Sequence, residues 1–387
     1  MCSIRMALIG ALAGLLGLSV EKIASAGSVR EPVALNRPQV SAPLASGASG
    51  RLGIKVVGNK FTDLNGNVLQ LQGTSVAGLD ISYSPSMWDG FDNTSVSIWR
   101  QIASAWQMNI IRLPQNEWAW RTNAKSARGI PYQTLVQAVV ANITAAGMYV
   151  ILDLHWAAPN VYNGYLSGNN ARGYADGQPG YLDADNSINY WTSMANAFKN
   201  NPAVLFELFN EPYADDTGSA WDSTRLGLLL NGGSFTLWDQ ARGSNSPTNT
   251  GLTFNVAGHQ QLVTAIRNTG ATNVILYSCP SWDNRPSQSL IVKPNDPLNQ
   301  LAATIHYSGG TQSDWTNILN AGVPILETEF YNPVISGNAG YAWLQQNKIG
   351  YVMWGANNWG SNSDMSSLIT HSPWSFNSGN AAAWRPF

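Results

Sequence analysis

From residue 52 onward, apolar runs of strand length alternate with segments in which apolar residues recur at three- and four-residue spacing. The first pattern predicts buried strands and the second predicts amphipathic helices. Strands are predicted at residues 68–74, 109–114, 148–155, 204–210, 273–278, 301–306, 323–329 and 350–354. Helices are predicted at residues 95–107, 132–146, 187–199, 253–268, 313–321 and 339–347. Strands that alternate with helices in this way predict an α/β fold, a (β/α)8 TIM barrel.

Turn signals refine this pattern. Asn65-Gly66 lies between apolar runs at residues 54–61 and 68–73, which predicts an N-terminal β-hairpin ahead of the barrel. Two long connections depart from the alternation: residues 213–250, which are rich in glycine and aromatic residues, and residues 280–300, which show no helical pattern. Helix-ending glycines are predicted where a glycine follows a helical pattern, at Gly147, Gly270 and Gly322.

The N-terminus differs in composition from the rest of the chain. Residues 1–26 combine Arg5, an apolar run at residues 6–20 and the small residues Ala24-Ser25-Ala26, a pattern typical of a secretory signal peptide. The apolar run is short for a membrane anchor. Residues 27–50 are rich in Ser, Ala, Pro and Gly and are expected to form a disordered linker. Residues 51–387 are therefore predicted to form one (β/α)8 domain of a secreted, extracellular or periplasmic protein.

The amino-acid composition indicates which kinds of molecule the protein can bind. Only 11% of the residues are charged and the net charge is −2, so the basic clusters that bind nucleic acid or an anionic membrane surface are not expected. The 16 tryptophans and 36 glycines instead fit a neutral, extended ligand such as carbohydrate, which is bound by ring stacking and hydrogen bonds.

Chemically active side chains stand where the predicted strands end. Active sites of (β/α)8 barrels form at the C-terminal ends of the strands, so these side chains are expected to meet on one rim. They include two acids, Glu211 and Glu329, that could act as a catalytic pair. The others at this rim are Arg112, Asp153, His155, Asn210, His306, Tyr307 and Trp354.

In this order the motifs Leu152-Asp153-Leu154-His155, Asn210-Glu211-Pro212, Ile305-His306-Tyr307 and Thr328-Glu329-Phe330, together with Arg112 and Trp354, resemble glycoside hydrolase family 5. The resemblance is to its cellulase-like branch of retaining glycosidases and runs from about residue 52 to about residue 375. Two departures are that Tyr307 is adjacent to His306, rather than two residues after it, and that Tyr331 stands where glycine is common.

The resemblance implies a retaining endo-β-glycosidase that hydrolyses β-1,4-glucan through a covalent glycosyl-enzyme. It implies that Glu211 is the general acid/base and Glu329 the nucleophile, with Arg112 lowering the pKa of Glu329 through bidentate hydrogen bonds. It also implies supporting or substrate-binding roles for the remaining residues, His155, Asn210, His306, Tyr307 and Trp354. Alternatives within the family are a β-mannanase or another β-glucosidic substrate, including a glycolipid or an exo-type substrate. We expect no cofactor, no stable membrane association, and a monomer whose partner is a polysaccharide or oligosaccharide.

The same residues also allow other interpretations. Glu207 and Glu327 are expected to be buried structural acids, Glu207 as a partner of Arg112 and Glu327 deeper in the barrel interior than Glu329. A metal site of Asp153, His155 and His306 is disfavoured because no His-x-His pair is present. A carbohydrate-binding barrel without catalysis is the alternative from a different class.

Several single residues are expected to be structural. Asp183 is expected to cap a helix, and His259 and Cys279 are expected to be buried. Trp99 and Trp106 are expected to pack in the core. The tryptophans near strand ends or in loops are the candidates for stacking on sugar, namely Trp118, Trp120, Trp156, Trp282, Trp354 and Trp359.

Overall fold

The computed structural model describes residues 52–81, 85–92, 94–157, 179–213, 221–237, 252–306, 312–330, 338–354, 369–371 and 374–376. The predicted signal peptide and linker lie outside these residues. Within the described ranges, no helix is both long and apolar enough to cross a membrane.

The described elements follow the predicted alternation of strands and helices. In chain order the strands are β1 (Ile54–Val57), β2 (Lys60–Asp63), β3 (Val68–Leu69), β4 (Gln72–Ser75), β5 (Ile110–Asn116), β6 (Tyr149–Trp156), β7 (Val204–Glu207), β8 (Gly233–Leu237), β9 (Leu252–Val256), β10 (Ile275–Tyr277), β11 (Leu301–His306), β12 (Ile325–Phe330), β13 (Gly350–Met353), β14 (Ile369–His371) and β15 (Trp374–Phe376). The helices are α1 (Ser86–Asp92), α2 (Val96–Trp106), α3 (Glu117–Thr122), α4 (Tyr132–Ala145), α5 (Ala184–Phe198), α6 (Ser223–Asn231), α7 (His259–Asn268), α8 (Pro280–Asp283), α9 (Gln312–Asn320) and α10 (Asn338–Asn347).

The strands β4, β5, β6, β7, β10, β11, β12 and β13 close into a barrel in that order. Each pairs with its neighbour in parallel, and β13 pairs with β4 to complete the ring. The predicted (β/α)8 fold is therefore confirmed. In this arrangement the C-terminal ends of all these strands lie at one mouth of the barrel.

Side chains alternate between two apolar layers along the barrel strands. One set, for example Ile111 and Phe206, belongs to the large cluster that also contains helix residues such as Leu135 and Trp191. The alternate set fills the barrel interior toward its N-terminal end with residues from most strands, namely Leu71, Ile110, Ile151, Leu205, Leu276, Ala302, Leu326 and Val352. Arg112, Asp153 and Glu207 each follow a member of this interior set by two residues on the same strand. Because alternate residues of a strand point to the same face, these polar side chains also point into the barrel, nearer to its C-terminal mouth than the apolar layer.

The N-terminal strands close the opposite end of the barrel. Ile54, Val56 and Phe61 pack on the interior cluster, and the N–H of Ile54 donates to the carbonyl of Pro202 at 3.0 Å. The predicted Asn65-Gly66 turn joins β2 to β3, and Gly66 has a φ of 87°. The sequence missed a second turn that separates β1 from β2, so the predicted hairpin is a three-stranded antiparallel sheet.

Three predicted elements had wrong boundaries. The strand predicted at residues 68–74 is divided into β3 in the N-terminal sheet and β4 in the barrel. Residues 252–256 form β9, paired with β8, and α7 begins at His259, so the helix predicted from residue 253 is shorter. Alternate burial of Phe254 and Val256 shows the period of a strand, which a helical window had absorbed. The fourth barrel strand ends at Glu207 rather than at residue 210. The predicted helix-ending glycines are confirmed by φ values of 90°, 84° and 77° at Gly147, Gly270 and Gly322.

Candidate active site

A buried arginine occupies the centre of the barrel mouth. Arg112 on β5 is fully buried, and its guanidinium donates from Nε and Nη2 to the two oxygens of Glu207 at 2.7 and 3.1 Å. Its Nη1 donates to Oε1 of Glu329 at 2.8 Å, and its Nη2 also lies 2.9 Å from Oδ2 of Asp153. Burial lowers the pKa of Arg112, but the charges of Asp153, Glu207 and Glu329 outweigh it and raise this pKa well above its ordinary value.

The acid paired in bidentate fashion with Arg112 is Glu207, not Glu329. The predicted Arg112–Glu207 partnership is confirmed, whereas the expected bidentate contact to Glu329 is a single hydrogen bond. Glu207 also accepts hydrogen bonds from the hydroxyls of Thr328 at 2.8 Å and Thr304 at 3.3 Å. A carboxylate with this many donors is a fixed anchor for the guanidinium.

Burial dominates the ionisation of Glu329. Burial raises the pKa of Glu329, His306 and Arg112 oppose the shift, and the nearby Glu211 carboxyl adds to it. As expected, the charge of Arg112 acts to lower the pKa of Glu329. The pKa is nevertheless raised overall, because the carboxyl lies almost entirely out of water.

Glu211 lies beyond the end of β7 in a left-handed backbone conformation with a φ of 52°. Its side chain remains partly accessible, at 15% exposure, in contrast to the 4% of Glu329. Its Oε1 is 3.1 Å from Nδ1 of His306, and its backbone N–H donates to Oδ2 of Asp283 at 3.0 Å. A left-handed conformation in a residue with a side chain is unfavourable and is found mainly where function requires a particular geometry.

The hydrogen-bond chain through Thr328 determines where the proton of His306 lies. The Thr328 hydroxyl has a single hydrogen, which it donates to Glu207, so Nε2 of His306 at 3.0 Å must donate to the Thr328 oxygen. Burial lowers the pKa of His306 to about 4, so the ring is neutral at higher pH and its Nδ1 is an acceptor. The contact from Nδ1 to Glu211 is then a hydrogen bond only when Glu211 carries a proton.

Two further predicted residues form one wall of the site. Nδ1 of His155 is 2.7 Å from Oδ2 of Asp153, and the imidazole stacks on Trp354 with ring centroids 5.3 Å apart and an interplanar angle of 8°. Burial raises the pKa of Asp153 to about 7, although Arg112 opposes this shift. Trp354 is half-buried, and its backbone N–H donates to the carbonyl of Phe330, the residue that follows Glu329, at 3.0 Å.

Asn210 connects the arginine to the open part of the site. Its Oδ1 accepts a hydrogen bond from Nη2 of Arg112 at 2.7 Å, which orients the amide. Its Nδ2 is buried and has no hydrogen-bond partner within the described residues. An oriented, unused donor of this kind can serve a bound hydroxyl group.

One donor set could also hold a cation. Glu211, His306 and Glu329 each place one ligand atom within 4.8 Å of the others. This is the combination of oxygen and nitrogen ligands that divalent transition metals accept. Of the metal set considered from the sequence, Asp153 and His155 are instead engaged with Arg112 and Trp354.

The remaining aromatic residues singled out from the sequence differ in where the structure places them. Tyr307, Tyr331 and Trp359 lie outside the described residues, as does the side chain of Trp106. Trp120 was wrongly grouped with the stacking candidates, because it is buried in the core and donates to Ser193. Trp282 is half-buried and stacks on Tyr213 at 5.5 Å, Trp156 is half-buried, and Trp118 is half-buried against the core.

The structural roles expected for single residues are largely confirmed. Trp99, His259 and Cys279 are buried, and Asp183 caps α5. Glu327 is fully buried, but the prediction that it lies in the barrel interior was wrong. It pairs in regular register with Ile305 and Tyr351, which belong to the helix-facing layer, and a register shift follows it on β12. The same shift lets Glu329 face Arg112.

Two contributors to the site were not singled out from the sequence. Thr328 and Asp283 contact His306 and Glu211, respectively. Thr328 could have been found from its place between Glu327 and Glu329, since it is the first residue of the Thr-Glu-Phe motif. Asp283 could not, because it is separated from Glu211 by 72 positions in the chain and lies beyond the end of the strand predicted at residues 273–278.

Comparisons with known proteins agree with the geometry. Residues 62–362 match the sequence profile of the family described as Cellulase (glycosyl hydrolase family 5). The chain is similar to Cellulase CelDZ1 of Thermoanaerobacterium sp, with 22% identity over 343 residues that cover 79% of this chain and 71% of that protein. It is also similar to Endoglucanase C of Evansella cellulosilytica, with 25% identity over 77% of this chain but 35% of that longer protein.

Solved structures share the barrel. A beta-glucanase from Saccharophagus degradans superimposes with a TM-score of 0.55 at 18% identity and covers 83% of this chain and 88% of its own. A mannotriose complex of Thermomonospora fusca beta-mannanase gives a TM-score of 0.55 at 16% identity, with 87% of this chain and 95% of that chain covered. At these identities the likeness shows a common fold.

Proposed function

Because the chain belongs to glycosyl hydrolase family 5, we propose that it hydrolyses internal bonds of β-1,4-glucan with retention of configuration at the anomeric carbon. In this proposal Glu211 is the general acid/base and Glu329 is the nucleophile. The substrate assignment is supported by the relatives named as cellulases and endoglucanases.

The separation of the two acids supports the proposal most directly. A carboxyl oxygen of Glu211 lies within 4.8 Å of a carboxyl oxygen of Glu329. Retaining glycosidases hold their two carboxyl groups about 5–5.5 Å apart, whereas inverting enzymes leave about 6.5–9.5 Å for a water molecule. The pair is close enough for direct attack by one carboxylate while the other protonates the leaving oxygen.

The surroundings of each acid suit its proposed role. The neutral Nε2–H form of His306 offers an acceptor to Glu211, which favours a protonated carboxyl ready to donate to the glycosidic oxygen. Arg112 donates to Glu329 and favours its ionised form, which attacks the anomeric carbon. Glu211, deprotonated after the first step, then removes a proton from the water that hydrolyses the glycosyl-enzyme.

Asn210 and Trp354 can bind the sugar at the cleavage point. The unused Nδ2 of Asn210 is placed by Arg112 and can donate to a sugar hydroxyl close to Glu211. The ring of Trp354, held parallel to His155, offers a face on which a pyranose can stack. These are contacts that a neutral polysaccharide requires and that need no charged group on the substrate.

A panel of soluble β-1,4-glucan, mixed-linkage glucan, β-mannan and xylan tests the substrate proposal. The protein is produced from Gly27, the expected mature N-terminus if the signal peptide directs export as we propose. We expect the fastest release of reducing ends from β-1,4-glucan, with oligosaccharides as early products. Faster release from mannan would contradict the glucan assignment, and binding without hydrolysis of any polymer would favour a non-catalytic barrel.

Replacement of Thr328 by valine is expected to lower the pKa of the general acid. Without the hydroxyl, Nε2 of His306 loses its acceptor, and the ring can carry its proton on Nδ1 and donate to an ionised Glu211. Hydrogen bonding to the charged form lowers a carboxyl pKa, so the alkaline limb of kcat/KM should move down by about 1 pH unit.

The pH profile of kcat/KM on a soluble glucan is the measurement, with Thr328→Ser as the control that retains the hydroxyl. The serine variant should keep the limb of the unmodified protein. An unchanged or higher alkaline limb in Thr328→Val would contradict the assigned tautomer of His306.

A further inference from the structure

A second buried acid contacts the segment that carries the proposed proton donor. Asp283, at the end of α8, has a fully buried side chain. Its Oδ2 accepts the backbone N–H of Glu211 at 3.0 Å, and its Oδ1 accepts the N–H of Cys279 at 2.5 Å. A single carboxyl group therefore joins the loop that follows β10 to the loop that follows β7.

The N–H of Glu211 needs such a partner because the barrel ladder ends before it. Beyond the last residue of β7, the N–H of Leu208 still donates to Leu276 and that of Asn210 to Leu154, each at 3.0 Å. At Glu211 the chain turns into the left-handed conformation and leaves the strand direction. A buried N–H without an acceptor is costly, so the carboxyl of Asp283 takes the place of a strand neighbour.

The loop after β10 is bonded to this segment at two more points. The hydroxyl of Ser278 donates to the carbonyl of Phe209, and the N–H of Trp282 donates to the carbonyl of Pro212 at 2.8 Å. The rings of Trp282 and Tyr213 stack with an interplanar angle of 12°. The two loops therefore form one hydrogen-bonded unit next to Glu211.

The loop itself adopts an unfavourable backbone to make these contacts. Ser281, Trp282 and Asp283 have consecutive φ values of 61°, 57° and 58°. Left-handed conformations in residues with side chains persist where the surrounding structure holds them, and they cluster at functional sites. The consecutive turns bring the carboxyl of Asp283 within hydrogen-bond distance of the Glu211 N–H.

We propose that Asp283 is a positioning residue for proton donation, which holds the Glu211 peptide so that its carboxyl group faces both His306 and the glycosidic oxygen. The inference rests on the proposed function, in which Glu211 is the general acid. It assigns Asp283 no contact with substrate, and its effect passes through the orientation of Glu211.

Leaving-group dependence separates this role from a purely structural one. Phenyl β-cellobioside needs protonation of its leaving oxygen, whereas 2,4-dinitrophenyl β-cellobioside releases a stable phenolate without it. We expect Asp283→Ala to lower kcat/KM about 10²-fold on the phenyl substrate and by less than about 3-fold on the dinitrophenyl substrate. Glu211→Gln should show the same selectivity to a larger degree.

The ratio of the two kcat/KM values does not depend on how much of a variant is folded. Asp283→Asn, which keeps the shape but offers one oxygen to two N–H donors, should change this ratio in the same direction. Asp296→Ala is the matched control, because Asp296 is also buried and also accepts backbone N–H groups, from Leu298 and Gln300, but pairs with Arg267. It should lower Tm and leave the ratio unchanged.

Equal losses on both substrates in the two Asp283 variants would overturn the positioning role. A wild-type protein that hydrolyses neither glycoside nor any polymer of the panel would overturn the proposed function itself, so the two failures are distinguishable.

Discussion

Replacement of Glu329 by alanine is expected to lower the turnover of β-1,4-glucan by on the order of 10⁵-fold, since loss of a catalytic nucleophile removes the covalent route altogether. The fold should persist, because the side chain lies at the tip of β12 and is one of several acids that Arg112 binds. Reducing-end release and the thermal unfolding temperature, measured on the same preparation, check both parts of this expectation.

The neighbouring acid provides a matched control. Glu327 lies two residues earlier on the same strand and is also buried, but it faces the helix layer rather than Arg112. Glu327→Ala should reduce stability and leave kcat within about 10-fold, because it removes no group from the site. Full turnover in Glu329→Ala together with its loss in Glu327→Ala would reverse the assignment.

External azide distinguishes the two catalytic roles. In Glu329→Ala, azide can enter the space of the missing carboxylate and attack the substrate from the side opposite the leaving group, which yields an α-glycosyl azide from an activated β-glycoside. In Glu211→Ala, the glycosyl-enzyme still forms with an activated substrate, and azide attacks it from the other side to yield the β-glycosyl azide. The opposite pair of products would show that the roles of the two acids are exchanged.

Replacement of Arg112 by methionine is expected to be the most destabilising single change at the site. Methionine fills a similar volume but leaves the carboxyl groups of Asp153, Glu207 and Glu329 without the cation they share. Removal of one partner from a buried ion pair costs about 3–5 kcal/mol, which corresponds to a fall in Tm of roughly 10 °C.

The sign of the pH dependence follows from the same contacts. Burial raises the pKa values of Asp153 and Glu329, and Arg112 opposes both shifts. Without Arg112, these two carboxyls bind protons still more readily in the folded state than in the unfolded state. Such groups destabilise the protein as pH rises, and the deficit should therefore shrink toward low pH. Thermal unfolding between pH 5 and pH 8 measures this trend.

Arg267→Met is the appropriate comparison for the Arg112 variant. Arg267 is also largely buried, but it pairs with one carboxylate, Asp296, at 2.8 Å. Its loss should lower Tm less and leave the pH profile of activity unchanged. A Tm for Arg112→Met that equals that of the unmodified protein would contradict the view that the arginine offsets the cost of burying the acids.

The fold was predictable because its signal repeats along the chain. The eight barrel strands were each located within a few residues, since parallel strands covered on both faces are nearly continuous apolar runs. Two of the errors fell on short features outside the barrel, β9 and the turn between β1 and β2, where few residues carry the pattern. The errors within the barrel concern the end of β7 and the register shift on β12, which apolar periodicity does not record.

Most residues of the site could also be predicted from the sequence. Polar residues at the tips of apolar strands are conspicuous, and barrel topology brings such tips together, so Arg112, Asn210, Glu211, His306 and Glu329 could be named before their distances were known. The pairing of Arg112 with Glu207 followed from strand parity and from the need of a buried acid for a cation.

Only the tertiary structure decided which hydrogen bonds these residues form and where their protons lie. Which acid receives the bidentate arginine contact depends on a register shift in β12. Which nitrogen of His306 carries the proton depends on the single hydrogen of Thr328. Which group holds the Glu211 peptide depends on a loop that is distant in the chain. Periodicity in a sequence records which side chains are buried, whereas hydrogen-bond partners are set by distances of a few ångströms between separate segments, and those distances exist only once the barrel has closed.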